Sequence, residues 1–286
     1  GLPRAYDIAL EAISHGDGRV DTDSLIRFVS AYQRVTILTL GELWAIPIML
    51  RLALIENLRR VAARIAADRL DRNLADSWGD QIVEFAEKDT KNLILVVADM
   101  ARSNPPMVSA FVAELTRRLQ GHGPALALPL TWIEHSLAES GLTIAQLVQA
   151  ENQQQAANQV SISNSIGSMR LLAVMDWREF VESLSIVDQT LRRDPAGIYP
   201  QMDFATRDRY RHAVESTAKH SRLPESDIAL AALRLASEAT AAGGEARTRH
   251  VGYYLVGGGL AELERTAKVR FSLRTWVRAR DLRVTL

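Results

Sequence analysis

The sequence contains no cysteine, which excludes a disulfide framework, a thiolate nucleophile and any cysteine-ligated metal. Glycine and proline are sparse, 16 and 9 among 286 residues. With Ala, Leu, Arg and Glu abundant, that scarcity favours helix over sheet throughout, and the expected fold class is all-α. The formal net charge is +0, so no global field steers the chain toward nucleic acid or acidic ligands. No signal peptide and no run of about 18 uncharged apolar residues is present. The longest apolar window, Thr36 to Ile55, carries Glu42 and Arg51 and meets Pro47, and reads as core. At 47% hydrophobic residues, the chain can bury one large or two modest cores. The first residue is glycine, which suggests a start inside a longer protein or after a removed tag.

The stretch GELWAIPIMLRLALIENLRR, Gly41 to Arg60, is the expected centre of the fold. Leu43, Ile46, Leu50, Leu54 and Leu58 form one helical face, while Trp44, Ile48, Leu52 and Ile55 cover much of the other, which predicts burial on most sides. Thr39 and Glu42 have capping-box spacing. Pro47 predicts a kink or a later helix start near Ala45. Further helices are expected over Leu2 to Ser14, after the turn-rich HGDGRVDTD, over Trp78 to Lys88, Asn92 to Arg102, Phe111 to Leu119 and Leu130 to Ala138. Asp21 or Asp23 is read as a helix cap, because the acidic spacing matches no cation loop. Thr143 to Met175 reads as one long helix whose polar run ENQQQAANQ is either a solvated face or a hydrogen-bonded bridge. Asp176 opens the next helix, with Trp177, Phe180, Val181, Leu184, Val187 and Leu191 on its buried face. Met202-Asp203-Phe204 repeats the Met-Asp-aromatic opening of Met175-Asp176-Trp177. The organisation expected is a multi-helix bundle or short helical solenoid over residues 1–264, with a subdivision near 141, followed by a basic tail over 265–286.

Charges inside the apolar pattern mark candidate sites, because a buried charge must be paired and hydrogen-bonded. Arg51 has no acidic neighbour at helical spacing, so its partner is expected from a distant segment, and a ligand-binding role is the alternative. The candidate buried polar network comprises Arg51, Glu56, Asp176, Asp203, Arg207 and Asp208. The helix carrying Arg207, Asp208, Arg209, Tyr210, Arg211 and His212 reads either as a surface ladder or as a buried network. The glycines of HVGYYLVGGG lack the strand, lysine and helix of a phosphate-binding loop. The tail interleaves Arg270, Arg274, Arg278 and Arg280 with Phe271, Leu273 and Trp276. That composition suits a membrane surface better than RNA. The histidines show no metal-binding spacing, there is no nucleophile elbow, and no carboxylate pair stands out for acid–base work.

The stretches GLPRAYDIALEAISHGDGRVD, GELWAIPIMLRLALIENLRR, NSIGSMRLLAVMDWREFVESLS, DPAGIYPQMDFATRDRYRHAVE and HVGYYLVGGGLAELE resemble the N-terminal region of bacterial cyclic β-1,2-glucan synthases. VGGGLAE and the tail after Ala267 follow the family more loosely. The resemblance implies a non-catalytic helical domain supporting or regulating a UDP-glucose-dependent glucosyltransferase at the cytoplasmic face of the inner membrane. UDP-glucose and a divalent metal would then belong to the transferase domain, with no cofactor in this segment and no nucleic acid partner. Its implied partners are other domains of the same polypeptide and the membrane surface, reached through Arg270, Arg274, Trp276, Arg278 and Arg280. The resemblance also raises a protein-linked glucan, with Tyr210, Tyr199, Tyr253 and Tyr254 as attachment candidates. A free-standing helical adaptor is a third reading.

Overall fold

The structure, a computed structural model, describes residues 3–138 and 140–269. The basic segment with Arg270, Arg274, Trp276, Arg278 and Arg280 lies outside them. The described residues form α-helices joined by turns and short 3₁₀ segments, without a strand among them. The chain is all-α, as its composition requires. Its described residues divide into two compact units, one drawn from 1–12, 21–50 and 172–286, the other from 13–20 and 51–171. Three of the four divisions fall inside helices.

The helix centred on Gly41 to Arg60, whose pattern allows it to run on through Val61, Ile65 and Leu70, reaches further still: α3 spans Leu40–Lys88 and absorbs the separate helix expected from Trp78. Its start is the capping box seen in the sequence. Thr39 N–H donates to Glu42 Oε2 at 2.8 Å, and Glu42 N–H donates to Thr39 Oγ1 at 3.3 Å. Pro47 neither delays the start nor ends the helix, since it deletes one of many backbone hydrogen bonds. All-round burial does not hold. Leu43, Ile46, Leu50 and Leu54 are buried, but Ile48, Leu52 and Ile55 are 61%, 47% and 53% exposed.

In the unit of residues 13–20 and 51–171, Ala75 and Ile82 of α3 pack with Met100 of α4 (Leu93–Ser103), Phe111 and Leu115 of α5 (Ser109–Leu119) and Ile133 of α6 (Ala127–Ala138). The long helix α7 (Ile144–Val174) presents Ser161, Ser165 and Ser168 at spacings of four and three, one face of a helix. Asn57 of α3 donates to Ser161 and Ser165, each at 3.0 Å. Ser168 donates to Gly18 O and accepts from Val20 N–H, both at 2.8 Å. Small hydroxyl side chains thus satisfy the backbone of the turn that follows α1 (Arg4–His15).

In the other unit the core surrounds α11 (Glu225–Ala241). Ala229, Ala231, Ala232 and Ala236 let neighbouring helices approach closely, and Ile228 fills the space between them. Around it pack Leu191 of α9 (Ile186–Leu191), Val214 of α10 (Phe204–Lys219), Val251 and Leu255 of α12 (Val251–Val256) and Leu263 of α13 (Leu260–Thr266). The single helix expected after Asp176 is two, α8 (Trp177–Leu184) and α9, broken where Ser185 caps α9 through Asp188 N–H. Asp21 caps α2 (Thr22–Gln33), accepting from Ser24 N–H at 2.8 Å.

Gly18 holds φ +80°, and a β-carbon there would lie 2.4 Å from Ser165 Oγ, whereas Gly121 at φ +88° has nothing within 4 Å. Gly18→Ala is therefore expected to lower stability by at least about 2 kcal/mol, against roughly 1 kcal/mol for Gly121→Ala. Urea unfolding followed by circular dichroism measures both. Equal costs would show that the Ser165 contact adds nothing.

Candidate functional site

The densest polar constellation is built on α8, α9 and α10. Arg211 has no solvent exposure. One of its terminal nitrogens donates to Asp188 at 2.8 Å and to Glu182 at 3.0 Å, and the other donates to Asp208 at 3.1 Å. Arg207 grips the same Glu182 carboxylate at 2.7 and 2.8 Å and donates to Met202 O at 2.7 Å. Arg192, one helical turn from Asp188, donates to it at 2.5 Å. Three arginines thus face three carboxylates, Glu182, Asp188 and Asp208, which satisfies the demand that buried charge be matched. Arg211 Nε alone has no hydrogen-bond partner. The Phe204 ring lies 5.0 Å from the guanidinium carbon, a cation–π arrangement. Trp44 packs edge-on against Phe204 at 6.4 Å.

Tyr199 continues the cluster inward. Its phenol donates to Asp188 at 2.8 Å, and burial, reinforced by that carboxylate, raises its pKa. The Tyr199 ring lies 6.0 Å from Tyr210, whose hydroxyl is 3.4 Å from His250 Nε2. The other imidazole nitrogen, Nδ1, is 2.7 Å from Asp194 Oδ2, a geometry that puts the proton on Nδ1. Asp194 also accepts from the backbone N–H groups of Ile198, Tyr199 and Val251. Burial alone would raise this carboxyl, but hydrogen bonds from His250, Val251 and Tyr199 outweigh it and hold the pKa below the ordinary carboxylate range. Gly252 leaves the room this requires, because a β-carbon there would lie 2.4 Å from the Tyr210 hydroxyl oxygen.

The sequence-derived network is partly reassembled. Arg207 and Asp208 belong to the cluster, and the helix that carries them is locked by burial rather than by a surface ladder. Arg51 does not supply the central guanidinium. It is exposed on α3, because the face it shares with Leu52 and Ile55 is not covered. Glu56 pairs locally with Arg59 at 2.7 Å. Asp176 and Asp203 cap α8 and α10, accepting from Glu179 N–H at 3.1 Å and from Thr206 N–H at 2.7 Å. Trp177 packs edge-on against Phe180 at 5.3 Å. Glu42, expected as an interior charge, receives two hydrogen bonds of 2.8 Å from Arg4. Glu182, Asp188, Arg192, Asp194 and His250 are not among the residues that the sequence singles out, and Arg211 enters there only as one charge of the RDRYRH helix. For the rest the sequence signal is Asp188, which interrupts the apolar row of Val187 and Leu191.

Of the tyrosines raised for glucan attachment, Tyr199, Tyr210 and Tyr254 are buried and Tyr253 is partly exposed. Tyr253 and Tyr254 pack edge-on at 5.2 Å. The glycines after them fit around these rings, since a β-carbon on Gly259 would come within 2.7 Å of both. Among the described residues no group of His, Asp or Glu is placed to hold a metal ion. No helix among them is long and apolar enough to cross a membrane.

The helices and the buried charge cluster among them define a packed α-helical region. No family model matches the chain. Across 259 residues, 90% of its length, it is 31% identical to the cyclic beta-(1,2)-glucan synthase NdvB of Rhizobium meliloti (strain 1021). The chain is therefore related to a region of a cyclic β-(1,2)-glucan synthase. It spans 9% of that relative's length.

Removing the central guanidinium in Arg211→Met takes a fully buried partner from Asp188, whose side chain has no solvent exposure, and is expected to cost about 3–5 kcal/mol. A urea midpoint equal to the parent's would show that they find other partners. Asp194 has a folded pKa below its unfolded value of about 3.9, so its contribution is complete above that value and fades as pH falls through the lower folded one. Asp194→Asn is expected to lower the midpoint at pH 7 and to shrink the further loss on going to pH 3. An unchanged loss between those pH values would assign the acid sensitivity to other carboxylates.

Proposed function

We propose that this chain is a non-catalytic helical domain of a cyclic β-1,2-glucan synthase, supporting or regulating its UDP-glucose-dependent glucosyltransferase. The observation that carries the reading is the relation to such a synthase along 90% of this chain, within a relative nine-tenths of which lies outside the match. The Arg211 cluster supports it, because its carboxylates and guanidinium groups are committed to one another, as in a structural lock rather than a reacting centre. On this reading the partners are other domains of the same polypeptide and the inner-membrane surface on the cytoplasmic side. UDP-glucose and a divalent metal act in the transferase domain.

A full-length synthase carrying Arg211→Met here tests the proposal. Glucose incorporation from UDP-glucose by isolated membranes is expected to fall several-fold, with synthase abundance measured alongside. The catalytic machinery being elsewhere, the residual enzyme should keep its KM for UDP-glucose. Glucose transfer by the purified 286-residue chain would defeat the proposal, as would normal synthesis by an enzyme from which this region had been deleted.

A further inference from the structure

The polar run of α7 does more than bridge to α3. Glu151 is buried and receives hydrogen bonds from Arg72 at 2.8 Å, Gln155 at 2.8 Å and Ser109 at 3.0 Å. Asn158 is also buried, its carbonyl oxygen accepting from Arg64 and Gln154, each at 3.0 Å. These bonds hold one wall of a cavity of about 280 Å³ between α3 and α7, lined by Asp68, Arg72, Gln155, Asn158 and Gln159 with Ile65 and Ile162. Bridging leaves unused polar groups at this cavity. The side chains of Asp68 and Gln159 form no hydrogen bond with another described residue, Gln155 spends an amide N–H on Glu151, and Arg72 spends one terminal nitrogen there. The carboxylate of Asp68, the carbonyl of Gln155, the amide of Gln159 and the remaining N–H groups of Arg72 are therefore available to a ligand. Burial, and then the neighbouring Glu151 carboxylate, raise the pKa of Asp68 against the opposing pull of the Arg72 and Arg64 guanidinium groups.

The chemistry of the lining narrows what fits. A free anion meets Asp68 and Glu151, and a free cation meets Arg64 and Arg72, so neither sign of charge is favoured. The lining offers both donors and acceptors beside two isoleucines, which suits a neutral ligand with adjacent hydroxyl groups and an apolar ring face. At about 280 Å³ the cavity falls just below the roughly 300–1,000 Å³ typical of ligand sites, room for a sugar ring and too little for a nucleotide sugar. We infer that the cleft between α3 and α7, lined by Asp68, Arg72, Gln155 and Gln159, is a carbohydrate subsite that holds one hexopyranose unit. That the unit is glucose of a β-1,2-linked glucan rests on the proposed function above.

The test is an amide-resolved NMR titration of the 286-residue chain with sophorose, the β-1,2-linked glucose disaccharide, and separately with maltose. Asp68→Asn and Gln159→Ala serve as variants because neither side chain forms a hydrogen bond within the described residues. Saturable shifts are expected around residues 65–72 and 155–162, weakened about ten-fold in Asp68→Asn by loss of a charge-assisted hydrogen bond. Preference for sophorose over maltose would support both the subsite and the glucan reading. Equal binding of the two sugars, lost in the variants, would keep the subsite and sever it from that reading. Absence of saturable shifts at these residues, or affinity unchanged in both variants, would overturn the subsite.

Discussion

The Arg211 guanidinium sits without solvent exposure, and the packing of α8, α9 and α10 follows from that. A charge so placed costs several kcal/mol unless its hydrogen-bond donors are met. Its two terminal nitrogens reach Glu182 of α8, Asp188 of α9 and Asp208 of its own helix. The three helices can therefore take few relative positions. An apolar contact of equal area tolerates sliding, because dispersion and burial have no direction; a guanidinium with three carboxylates does not. The break at Ser185 between α8 and α9 makes sense in this light. It lets two short helices present Glu182 and Asp188 to one arginine from different axes.

Asp194 extends the constraint to the next turn of chain. The same carboxylate orders the start of the Ile198–Tyr199 segment and the entry to α12, and His250 completes its shell. Tyr199 then joins the two polar centres, with its hydroxyl on Asp188 and its ring beside Tyr210. The alanine-rich face of α11 gives these elements a close-packed floor. Polar specificity and apolar burial thus act on the same helices, the first selecting an arrangement and the second supplying most of its stability.

Fold class and most helix starts were legible in the sequence because they depend on local chemistry. Thr39, Asp21, Asp176 and Asp203 each cap a helix that begins beside them. What α3 buries was not legible. Periodicity shows which residues of Gly41 to Arg60 are apolar, but not how many faces are covered, so Ile48 and Leu52 read the same as Leu43 and Leu50. The choice of Arg51 over Arg211 fails for the same reason. Arg51 stands out against apolar neighbours, whereas Arg211 hides among the charges of RDRYRH, and only tertiary packing distinguishes a ladder from a lock. Arg207 and Asp208 were recoverable because they lie on the Arg211 helix.

Helix α7 shows why a polar run need not signal exposure. Glu151 and Asn158 are buried because Arg72 and Arg64 of α3 meet them at one-to-one cost, and Ser161, Ser165 and Ser168 keep the next turns small enough for Asn57 and Gly18 to approach. A helix with leucine at these positions could pack against α3 through burial alone, but it could not accept the backbone of the Gly18 turn. Hydrogen-bonded polar residues fix register where apolar ones would leave several registers of similar energy. The side chains left over after that register is satisfied, Asp68 and Gln159 among them, lie at the cleft. Polar groups not spent on the fold are the ones a ligand can address.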